Sequence, residues 1–249
     1  MPLPDVAVRR AEGQLVYAVG DIHGRYDLLQ QILRRIVADA AVQANGRRPV
    51  LVFCGDYIDR GPASAEVLAA LAWLRRRPDY ETHLLIGNHE QALLRYLGDP
   101  ESGRPWVGFG GAETLAAYGV AAPDVADDTE LHVDTRDRLL DAMPASHLDL
   151  LQSLETLVTI GDYAFCHAGA RPGRSLADQT VQDLLWIRGP FLDSTKPFEK
   201  MIVHGHSWDG PEPVVRSNRI GIDTGAYETG VLTCIRIEDG RVFVTATES

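Results

Sequence analysis

Five short polar patches interrupt the apolar runs of this sequence and carry side chains suited to metal and phosphate chemistry. Together they supply carboxylates, imidazoles, one amide and an arginine. The patches are Gly20–Gly24, Gly55–Gly61, Gly87–Glu90, His167–Gly169 and His204–His206. A two-metal hydrolase needs an oxygen ligand shared between two ions, with nitrogen and oxygen ligands on either side. The ordered set of patches therefore predicts a dinuclear metal site.

The individual side chains divide naturally between two ions. Asp21 and His23 are two residues apart in a glycine-flanked turn, so both can face one ion. Asp56 is a suitable bridging carboxylate, and the other patches add a neutral amide oxygen and two imidazoles. The candidate ligands are Asp21, His23, Asp56, Asn88, His167 and His206.

The elements that position the first three patches read as alternating strands and helices. This alternation predicts an α/β fold with parallel strands and crossover helices. The predicted strands are 14–19, 50–54 and 82–86, and the predicted helices are 26–42, 64–76 (with Ser64 as its N-cap) and 90–97. Asp21, Asp56 and Asn88 each follow a strand, at the sheet edge where ligands bind in such folds.

The rest of the chain has a different pattern. Residues 98–150 are rich in glycine and proline at first and then acidic, and they predict an insertion of short helices that caps the site. A hairpin is predicted over 156–166, with a turn at Gly161 and Asp162. The last third predicts a second, largely antiparallel sheet with strands at 200–203, 213–216, 219–222, 231–237 and 241–245. We expect one domain over residues 1–249.

Composition and charge exclude several classes of function. The formal net charge of −11 disfavours nucleic-acid binding, which relies on basic residues that neutralise phosphates. Three cysteines within apolar surroundings predict buried, reduced thiols. Residues 1–10 are too short and polar for a signal peptide, and no run is long enough to span a membrane. We therefore expect a cytoplasmic protein with no membrane partner, and its oligomeric state is open.

Other titratable residues have simpler interpretations. Asp162 and Asp223 lie in glycine-containing turns and are interpreted as structural. His204 directly precedes a metal-ligand patch and is interpreted as a neighbour of the ligands. The histidines outside any patch are assigned no chemistry; they are His83, His132 and His147.

The chain resembles the phosphoprotein phosphatase family of calcineurin-like metallophosphoesterases, above all its bacterial and phage members. Gly20–Gly24 matches the GDxHG motif of that family, Gly55–Gly61 its GDxxDRG motif and Gly87–Glu90 its GNHE motif. The two later histidine patches match further motifs, so that the resemblance spans about residues 15–230. It implies two mixed β-sheets sandwiched by helices, with the helical insertion at 98–150.

The resemblance also implies a role for each site residue. Asp21 and His23 would hold the first metal, Asp56 would bridge, and the second metal would take the remaining three candidate ligands. His89 resembles the catalytic histidine, with Asp59 as its orienting carboxylate. Arg60 and Arg188 resemble phosphate-binding arginines. The expected cofactor is a pair of divalent cations, manganese (Mn²⁺) first, with Fe, Zn²⁺ or Co²⁺ as alternatives.

The implied activity is hydrolysis of phosphomonoesters by a hydroxide that bridges the metals. The expected substrate is phosphoserine or phosphothreonine in a phosphoprotein or phosphopeptide. Trp208 stands where nuclease and phosphodiesterase branches usually carry a second histidine, which favours the phosphomonoesterase branch. Symmetrical diadenosine tetraphosphate hydrolases share most motifs but typically lack the aspartate that is Asp59 here. A catalytically silent metal-binding regulator is the third alternative.

The insertion at 98–150 has two open interpretations. Trp106 and Phe109 lie in a glycine-rich stretch between the third and fourth motifs. Loops on a rigid scaffold commonly determine specificity, so one interpretation takes these aromatic residues as determinants of substrate choice. The alternative is that both rings simply pack the insertion against the core.

Overall fold

The computed structural model describes residues 9–124 and 128–247, which form strands and helices in alternation over most of their length. The strands are β1 (Val16–Val19), β2 (Val50–Phe53), β3 (Glu81–Leu84), β4 (Leu157–Ile160), β5 (Tyr163–Cys166), β6 (Met201–His204), β7 (Val214–Val215), β8 (Arg219–Gly221), β9 (Thr233–Glu238) and β10 (Arg241–Ala246). The α-helices are α1 (Tyr26–Gln43), α2 (Ser64–Leu74), α3 (Asn88–Gly98), α4 (Pro100–Gly103), α5 (Ala112–Ala117), α6 (Thr129–Ala142), α7 (Ala145–Gln152), α8 (Val181–Trp186), α9 (Gly189–Leu192) and α10 (Ala226–Thr229).

The strands form two mixed five-stranded sheets. The first has the order β10-β9-β1-β2-β3, in which β1, β2 and β3 are parallel, as the alternation of elements predicts. The second has the order β4-β5-β6-β8-β7. Its first two strands form the predicted antiparallel hairpin, whereas β6 is parallel to both β5 and β8.

The prediction of one largely antiparallel sheet from the last third is wrong in two respects. β9 and β10 leave that region and join the first sheet, where β9 lies antiparallel to β1 with Val16 opposite Ile237. In the second sheet, β6 pairs in parallel with β5 and β8, while β7 pairs antiparallel with β8. The apolar alternation of a strand does not specify which of two stacked sheets it joins, so the sequence pattern could not make this choice.

Burial on both faces of each sheet explains the layered architecture. Successive residues of a strand point to opposite faces, so that in β1 Val16 and Ala18 pack between the two sheets. Tyr17 and Val19 instead pack against α1, α2 and the helices of the insertion. A third cluster on the outer face of the second sheet includes residues of α8 and α9. The result is an α-β-β-α sandwich, in agreement with the predicted fold class.

The segment predicted as an insertion is helical and packs on the first layer. It contains α4 to α7 and a kinked stretch at Val107–Gly111 that is broken by the positive φ of Gly110. Residues 125–127 lie outside the described residues. Several of its side chains, Leu115 and Leu139 among them, enter the same core cluster as α1 and α2. Ser64 is the first residue of α2 rather than its N-cap, because its hydroxyl accepts a hydrogen bond from the Asp59 amide instead.

The predictions on chain termini and cysteines have different outcomes. The prediction that residues 1–10 are not a signal peptide falls mostly on residues 1–8, which lie outside the described residues. All three cysteines are buried and free. Within the described ranges no helix combines the length and apolarity that crossing a membrane requires.

Candidate metal centre and active site

Polar loops from both sheets converge where the first sheet's strands β1 and β2 and the second sheet's strand β6 end. The approach is so close that a Cβ atom on Gly205 would lie 1.9 Å from Asp21 Oδ1. A Cβ atom on Gly87 would lie 2.1 Å from Asp56 Oδ1, so only glycine fits either position. Several site residues hold positive φ angles, which are uncommon for residues other than glycine and cluster at functional sites. These residues are His23, Asp56, Asp59, Arg60 and His206.

On one side of the site, His23 faces the carboxylate of Asp56. The Nδ1 atom of His23 donates to the Ile58 carbonyl at 2.9 Å, which fixes the tautomer and leaves a lone pair on Nε2. That Nε2 atom lies 3.5 Å from Asp56 Oδ2. Burial lowers the pKa of His23 to about 3, so the ring is neutral and suited to metal ligation.

On the other side, two imidazole rings converge on the amide oxygen of Asn88. His167 Nε2 lies 2.9 Å from Asn88 Oδ1, and His206 Nδ1 lies 2.8 Å from it. His167 Nε2 is also 3.4 Å from Asp56 Oδ1. Because His167 Nδ1 donates to the Cys54 carbonyl at 2.8 Å, its Nε2 carries a lone pair. Burial lowers the pKa of His167 and of His206, which keeps both rings neutral.

These atoms fit two divalent cations. Because His167 is neutral and carries its proton on Nδ1, its Nε2 atom cannot donate a hydrogen bond to Asn88 Oδ1 or Asp56 Oδ1. All three atoms offer lone pairs, as the ligands of a cation do. Ligands bound at about 2.1 Å and at right angles on one ion lie about 3 Å apart. His167 Nε2 lies 2.9 Å from Asn88 Oδ1 and 3.4 Å from Asp56 Oδ1, which fits this spacing. Asp56 belongs to both potential metal-binding groups, one with His23 and His89 and one with His167 and His206. A shared carboxylate between two nitrogen-rich groups is the arrangement expected for a bridging ligand.

Asp21 extends the site toward Asp223, which the sequence analysis interprets as a structural turn residue. Asp21 Oδ2 accepts a hydrogen bond from the His206 amide at 2.8 Å, while the buried Oδ1 lacks a hydrogen-bond partner among the described residues. Burial, and next the charge of Asp223, raises the pKa of Asp21 well above its ordinary value. Burial also raises the pKa of Asp223 to about 6. A cation bound beside Asp21 would stabilise both of these buried carboxylates.

Asp223 does have the predicted turn role, since it accepts a hydrogen bond from the Gly225 amide. Only 4% of the residue is exposed and its charge acts on Asp21, so a contribution of Asp223 to the metal environment is a hypothesis beside its turn role. Asp162, in contrast, accepts a hydrogen bond from the Arg10 amide away from the site, as a structural turn residue would.

Glu90, the last residue of the third motif, holds two ligand loops together. Its Oε2 atom accepts from the amides of Asp56 and Gly87, both at 2.9 Å. Its Oε1 atom accepts from the Tyr57 amide at 2.8 Å. The side chain is fully buried. These three hydrogen bonds therefore fix the backbone that carries Asp56 and Asn88.

His89 and Asp59 form a buried pair beside the candidate ligands. His89 Nδ1 donates to Asp59 Oδ2 at 2.6 Å, and the two side chains are 1% and 0% exposed. Burial lowers the pKa of His89, but the carboxylates of Asp56 and Asp59 together raise it by more, so that it lies above its ordinary value. The second ring nitrogen is 3.9 Å from Asp56 Oδ2, so the imidazole points toward the metal groups.

Two residues of the insertion complete the hydrogen bonding of Asp59. Trp106 Nε1 donates to Asp59 Oδ2 at 2.9 Å, and the Thr114 hydroxyl donates to Oδ1 at 2.6 Å. Trp106 is only 2% exposed and packs on Tyr96. The packing interpretation of Trp106 therefore holds, but the residue also orients a carboxylate of the site. An indole that caps a carboxylate 47 residues away leaves no signature in the sequence.

Phe109 and Arg60 line the open side of the site. Phe109 stacks on His89 with ring centroids 4.4 Å apart and planes inclined by 10°. The Arg60 guanidinium lies 4.6 Å from the ring centre of Tyr227, and its terminal nitrogen is 3.2 Å from His89 Nε2. Tyr227 also meets His23 edge to face at 5.2 Å. Tyr227 is a further residue of the site that carried no motif and was missed.

Arg188 lies on the opposite flank. Its guanidinium donates to the His206 carbonyl at 3.4 Å, and its positive charge is felt by His167 and His206. His204, behind these ligands, packs edge to face on Phe191 at 5.0 Å and is buried. The predicted ligands, the two arginines and the His89–Asp59 pair thus meet in one cleft.

A family model described as calcineurin-like phosphoesterase matches residues 15–224, which is most of the chain. The chain belongs to the calcineurin-like phosphoesterase family. It is therefore a metal-dependent phosphoesterase, an enzyme of the metallophosphoesterase class of hydrolases, and the third alternative of a silent regulator is not supported. This family uses a dinuclear centre of divalent metals, which the donor set of this phosphoesterase fits.

The curated relatives of this phosphoesterase carry names that specify a substrate. A symmetrical bis(5'-nucleosyl)-tetraphosphatase of Vibrio campbellii is 27% identical over 91% of this chain and 97% of its own. An asymmetrical bis(5'-nucleosyl)-tetraphosphatase of Bacillus subtilis is 28% identical over 89% of this chain and 90% of its own.

Solved structures support the fold. A candidate diadenosine tetraphosphatase covers 98% of both chains with a TM-score of 0.62 and 19% identity. A protein serine/threonine phosphatase of Saccharomyces cerevisiae covers 95% of this chain and 80% of its own, with a TM-score of 0.59 and 17% identity. At such identities the likeness is one of architecture alone.

Proposed function

We propose that this phosphoesterase hydrolyses dinucleoside polyphosphates, with diadenosine tetraphosphate as the representative substrate. The observation that carries the proposal is the pair of curated relatives, aligned over 91% and 89% of the chain and both named for cleavage of bis(5'-nucleosyl) tetraphosphates. This reverses the order of substrates that the motifs alone favour, in which phosphoproteins come first.

In this proposal the six candidate ligands would hold two divalent cations, and Asp56 is the residue that both potential metal-binding groups share. Bound cations of this kind neutralise phosphoryl oxygens and lower the pKa of water. The neutral rings of His23, His167 and His206 supply the nitrogen lone pairs, and Asn88 adds an uncharged oxygen. Manganese is the proposed metal, and mixed nitrogen and oxygen ligation is compatible with it as it is with Fe, Zn²⁺ or Co²⁺.

The two arginines bind the phosphate chain. Arg60 lies at the His89 side of the cleft and Arg188 at the His206 side, so their guanidinium groups can hold phosphoryl oxygens at both ends of the site. A planar guanidinium donates two parallel hydrogen bonds to a phosphate group. A polyphosphate chain, which carries charge along its length, matches cations placed on opposite flanks.

His89 donates a proton to the leaving oxygen. Asp59 accepts from Nδ1, orients the ring and favours its protonated form, so that Nε2 faces the reacting phosphate. General acid catalysis of this kind contributes about 100- to 10,000-fold. The arginine that now contacts Nε2 would turn to the bound phosphate, which frees this nitrogen for the leaving group.

A phosphoserine or phosphothreonine phosphatase is the second candidate, and the His89–Asp59 pair favours it. A serine alkoxide is a far poorer leaving group than a nucleotide phosphate, so it depends more strongly on protonation. The short, buried hydrogen bond of 2.6 Å between His89 and Asp59 favours the protonated imidazole that such a substrate needs as a general acid.

A parallel assay separates the two candidates. The Mn²⁺-loaded protein is incubated with diadenosine tetraphosphate and, separately, with phosphoserine and phosphothreonine peptides, and the products are separated by chromatography. We expect a kcat/KM for the dinucleotide at least about tenfold above that for the peptides. Two ADP molecules would indicate symmetrical cleavage, and ATP with AMP asymmetrical cleavage. A preference for the peptides would overturn the proposal.

A further inference from the structure

A cavity of about 560 Å³ opens beside the candidate metal centre. Small-molecule sites commonly measure about 300–1,000 Å³. The walls come from α3, α4, the stretch that follows α4, and α8. The lining residues that matter chemically are Gln91, Arg95, Trp106, Phe109, Gln182 and Trp186. Three aromatic rings, two amides and a guanidinium in one cavity suit a flat, polar-edged ligand.

Phe109 is the wall that this cavity shares with the active site. One face of its ring covers His89 at 4.4 Å. On its other side the ring of Trp186 lies at 6.2 Å, with the planes inclined by 25°. Phe109 is 39% exposed, which is unusual for a phenylalanine in a packed helical segment. A ligand in the cavity therefore lies one aromatic ring away from the general acid.

Trp186 is held in place and linked to the phosphate-binding flank. Its Nε1 atom donates to Gln91 Oε1 at 2.7 Å, which fixes the indole against α3. Arg188 follows two residues later and reaches the His206 carbonyl. One short segment thus supplies both an aromatic wall of the cavity and a cation beside the metal groups.

A nucleobase fits the chemistry of this lining. Bases stack on aromatic side chains, and a glutamine amide can form two hydrogen bonds with the edge of adenine. Two stacking distances of about 3.5 Å add up to about 7 Å. The ring centroids of Phe109 and Trp186 are 6.2 Å apart, so a base enters between them only if the two rings move further apart.

We infer that the cavity between Phe109 and Trp186 binds one nucleobase of the substrate while the phosphate chain extends past Phe109 to the metal centre. This inference rests on the proposed function and adds a subsite to it. It assigns Trp186 and Gln182 to base binding, roles that no motif specifies. The competing occupant is an aromatic side chain of a phosphopeptide, which the test includes as an outcome.

The test measures the contribution of the base without requiring hydrolysis of a dinucleotide. AMP and ribose 5-phosphate, which differ only by the base, are compared as inhibitors of p-nitrophenyl phosphate hydrolysis by the Mn²⁺-loaded protein. We expect AMP to inhibit about 5- to 100-fold more tightly, the range for stacking of one base on an aromatic residue. In Trp186→Ala the difference should shrink to about twofold or less.

Two further variants keep the test decisive. Trp73→Ala removes a tryptophan that is 55% exposed on α2, outside the cavity, and should retain the full preference for AMP. Gln182→Ala changes an exposed residue and should reduce the preference even if Trp186→Ala does not fold. Equal inhibition by both compounds in the wild type, or a preference that survives both cavity substitutions, would overturn the inference.

The outcomes also separate this inference from the proposed function. Base preference without hydrolysis of diadenosine tetraphosphate would contradict the proposed function and leave the subsite standing. Hydrolysis of the dinucleotide without base preference would support the proposed function and contradict the subsite. If instead Trp186→Ala raises the KM only for phosphopeptides with a neighbouring aromatic residue, the cavity is a peptide site and the inference is wrong.

Discussion

The metal ligands and the His89–Asp59 pair share one cleft, but different parts of the chain hold them in place. The ligand side chains are fixed chiefly by backbone atoms: His23 by the Ile58 carbonyl, His167 by the Cys54 carbonyl, and Asp21 by the His206 amide. Asp59 is fixed by side chains of the helical insertion, Trp106 and Thr114.

Because of this difference, we expect the metal-ligand region and the His89–Asp59 pair to tolerate substitutions of neighbouring residues to different degrees. A backbone partner does not change when a neighbouring residue is substituted, so ligand geometry depends on the fold itself. The acid pair and its aromatic cover depend on the identity of residues between 98 and 150. We therefore expect metal binding to be insensitive to the sequence of the insertion. Protonation of the leaving group by His89 and the choice of substrate should depend on it. The following substitutions test that division, beginning with the largest expected effect.

Asp56→Asn should abolish both metal binding and activity. The change removes the charge that both metal groups share and should lower kcat/KM by more than about 1,000-fold, which corresponds to a loss of several kcal/mol. Elemental analysis of the purified variant measures metal content. Asp79→Asn, on an exposed ion pair with Arg77, is the control and should match the wild type. Two metals per chain at wild-type affinity would refute the bridging assignment.

His89→Asn should lower turnover by about 100- to 10,000-fold while metal content stays the same. The reason is that the ring donates a proton rather than a ligand electron pair. The loss should be smaller for p-nitrophenyl phosphate, whose leaving group needs little protonation, than for an alkyl phosphate. Equal losses on both substrates, or loss of one metal, would show that His89 acts as a ligand, as its place in one metal group allows.

Asp59→Asn should change the pH dependence of kcat. Asp59 is one of two carboxylates that raise the pKa of His89. The active form is protonated, so activity falls as pH rises through this pKa. Without Asp59 the pKa is lower, and the alkaline decline should begin at lower pH, with a reduction of about 10- to 100-fold at neutral pH. A profile that keeps its wild-type alkaline limb would contradict the role of Asp59.

Trp106→Phe should have the smallest effect, about tenfold or less in kcat, with the alkaline limb moving in the opposite direction. The substitution removes a donor that lowers the pKa of Asp59, so that the pair holds its shared proton more tightly and titrates at higher pH. Metal content should be unchanged. Trp73→Phe, at an exposed position, is the matched control. A lower melting temperature with an unmoved pH profile would mean that Trp106 acts by packing alone.

The same division explains what the sequence could predict. The first three motifs are local, and each follows a parallel strand, so Asp21, Asp56 and Asn88 could be brought together from periodicity alone. The role of Asp223 depends on β8 entering the second sheet beside β6, which places it against a residue 202 positions earlier. Tyr227 and Trp106 are likewise brought to the site by tertiary packing.

Ser64 illustrates how a local rule fails for a physical reason. Its type and position predict an N-cap, but its hydroxyl instead accepts from the Asp59 amide and lies 3.1 Å from the Thr114 hydroxyl. That partner is 50 residues away and is supplied by the insertion. The site therefore recruits a residue that helix capping would otherwise use.

The clamp that Glu90 forms across the two ligand loops bears on how the enzyme acquires and exchanges its ions. Since one buried carboxylate already fixes the amides of Asp56 and Gly87, the loops hold their shape through the fold and do not wait for a cation to organise them. Chelation should consequently release the ions without unfolding the chain. We then expect different transition metals to replace one another in the preformed site. Which metal is bound in a cell should depend on metal availability as much as on the protein.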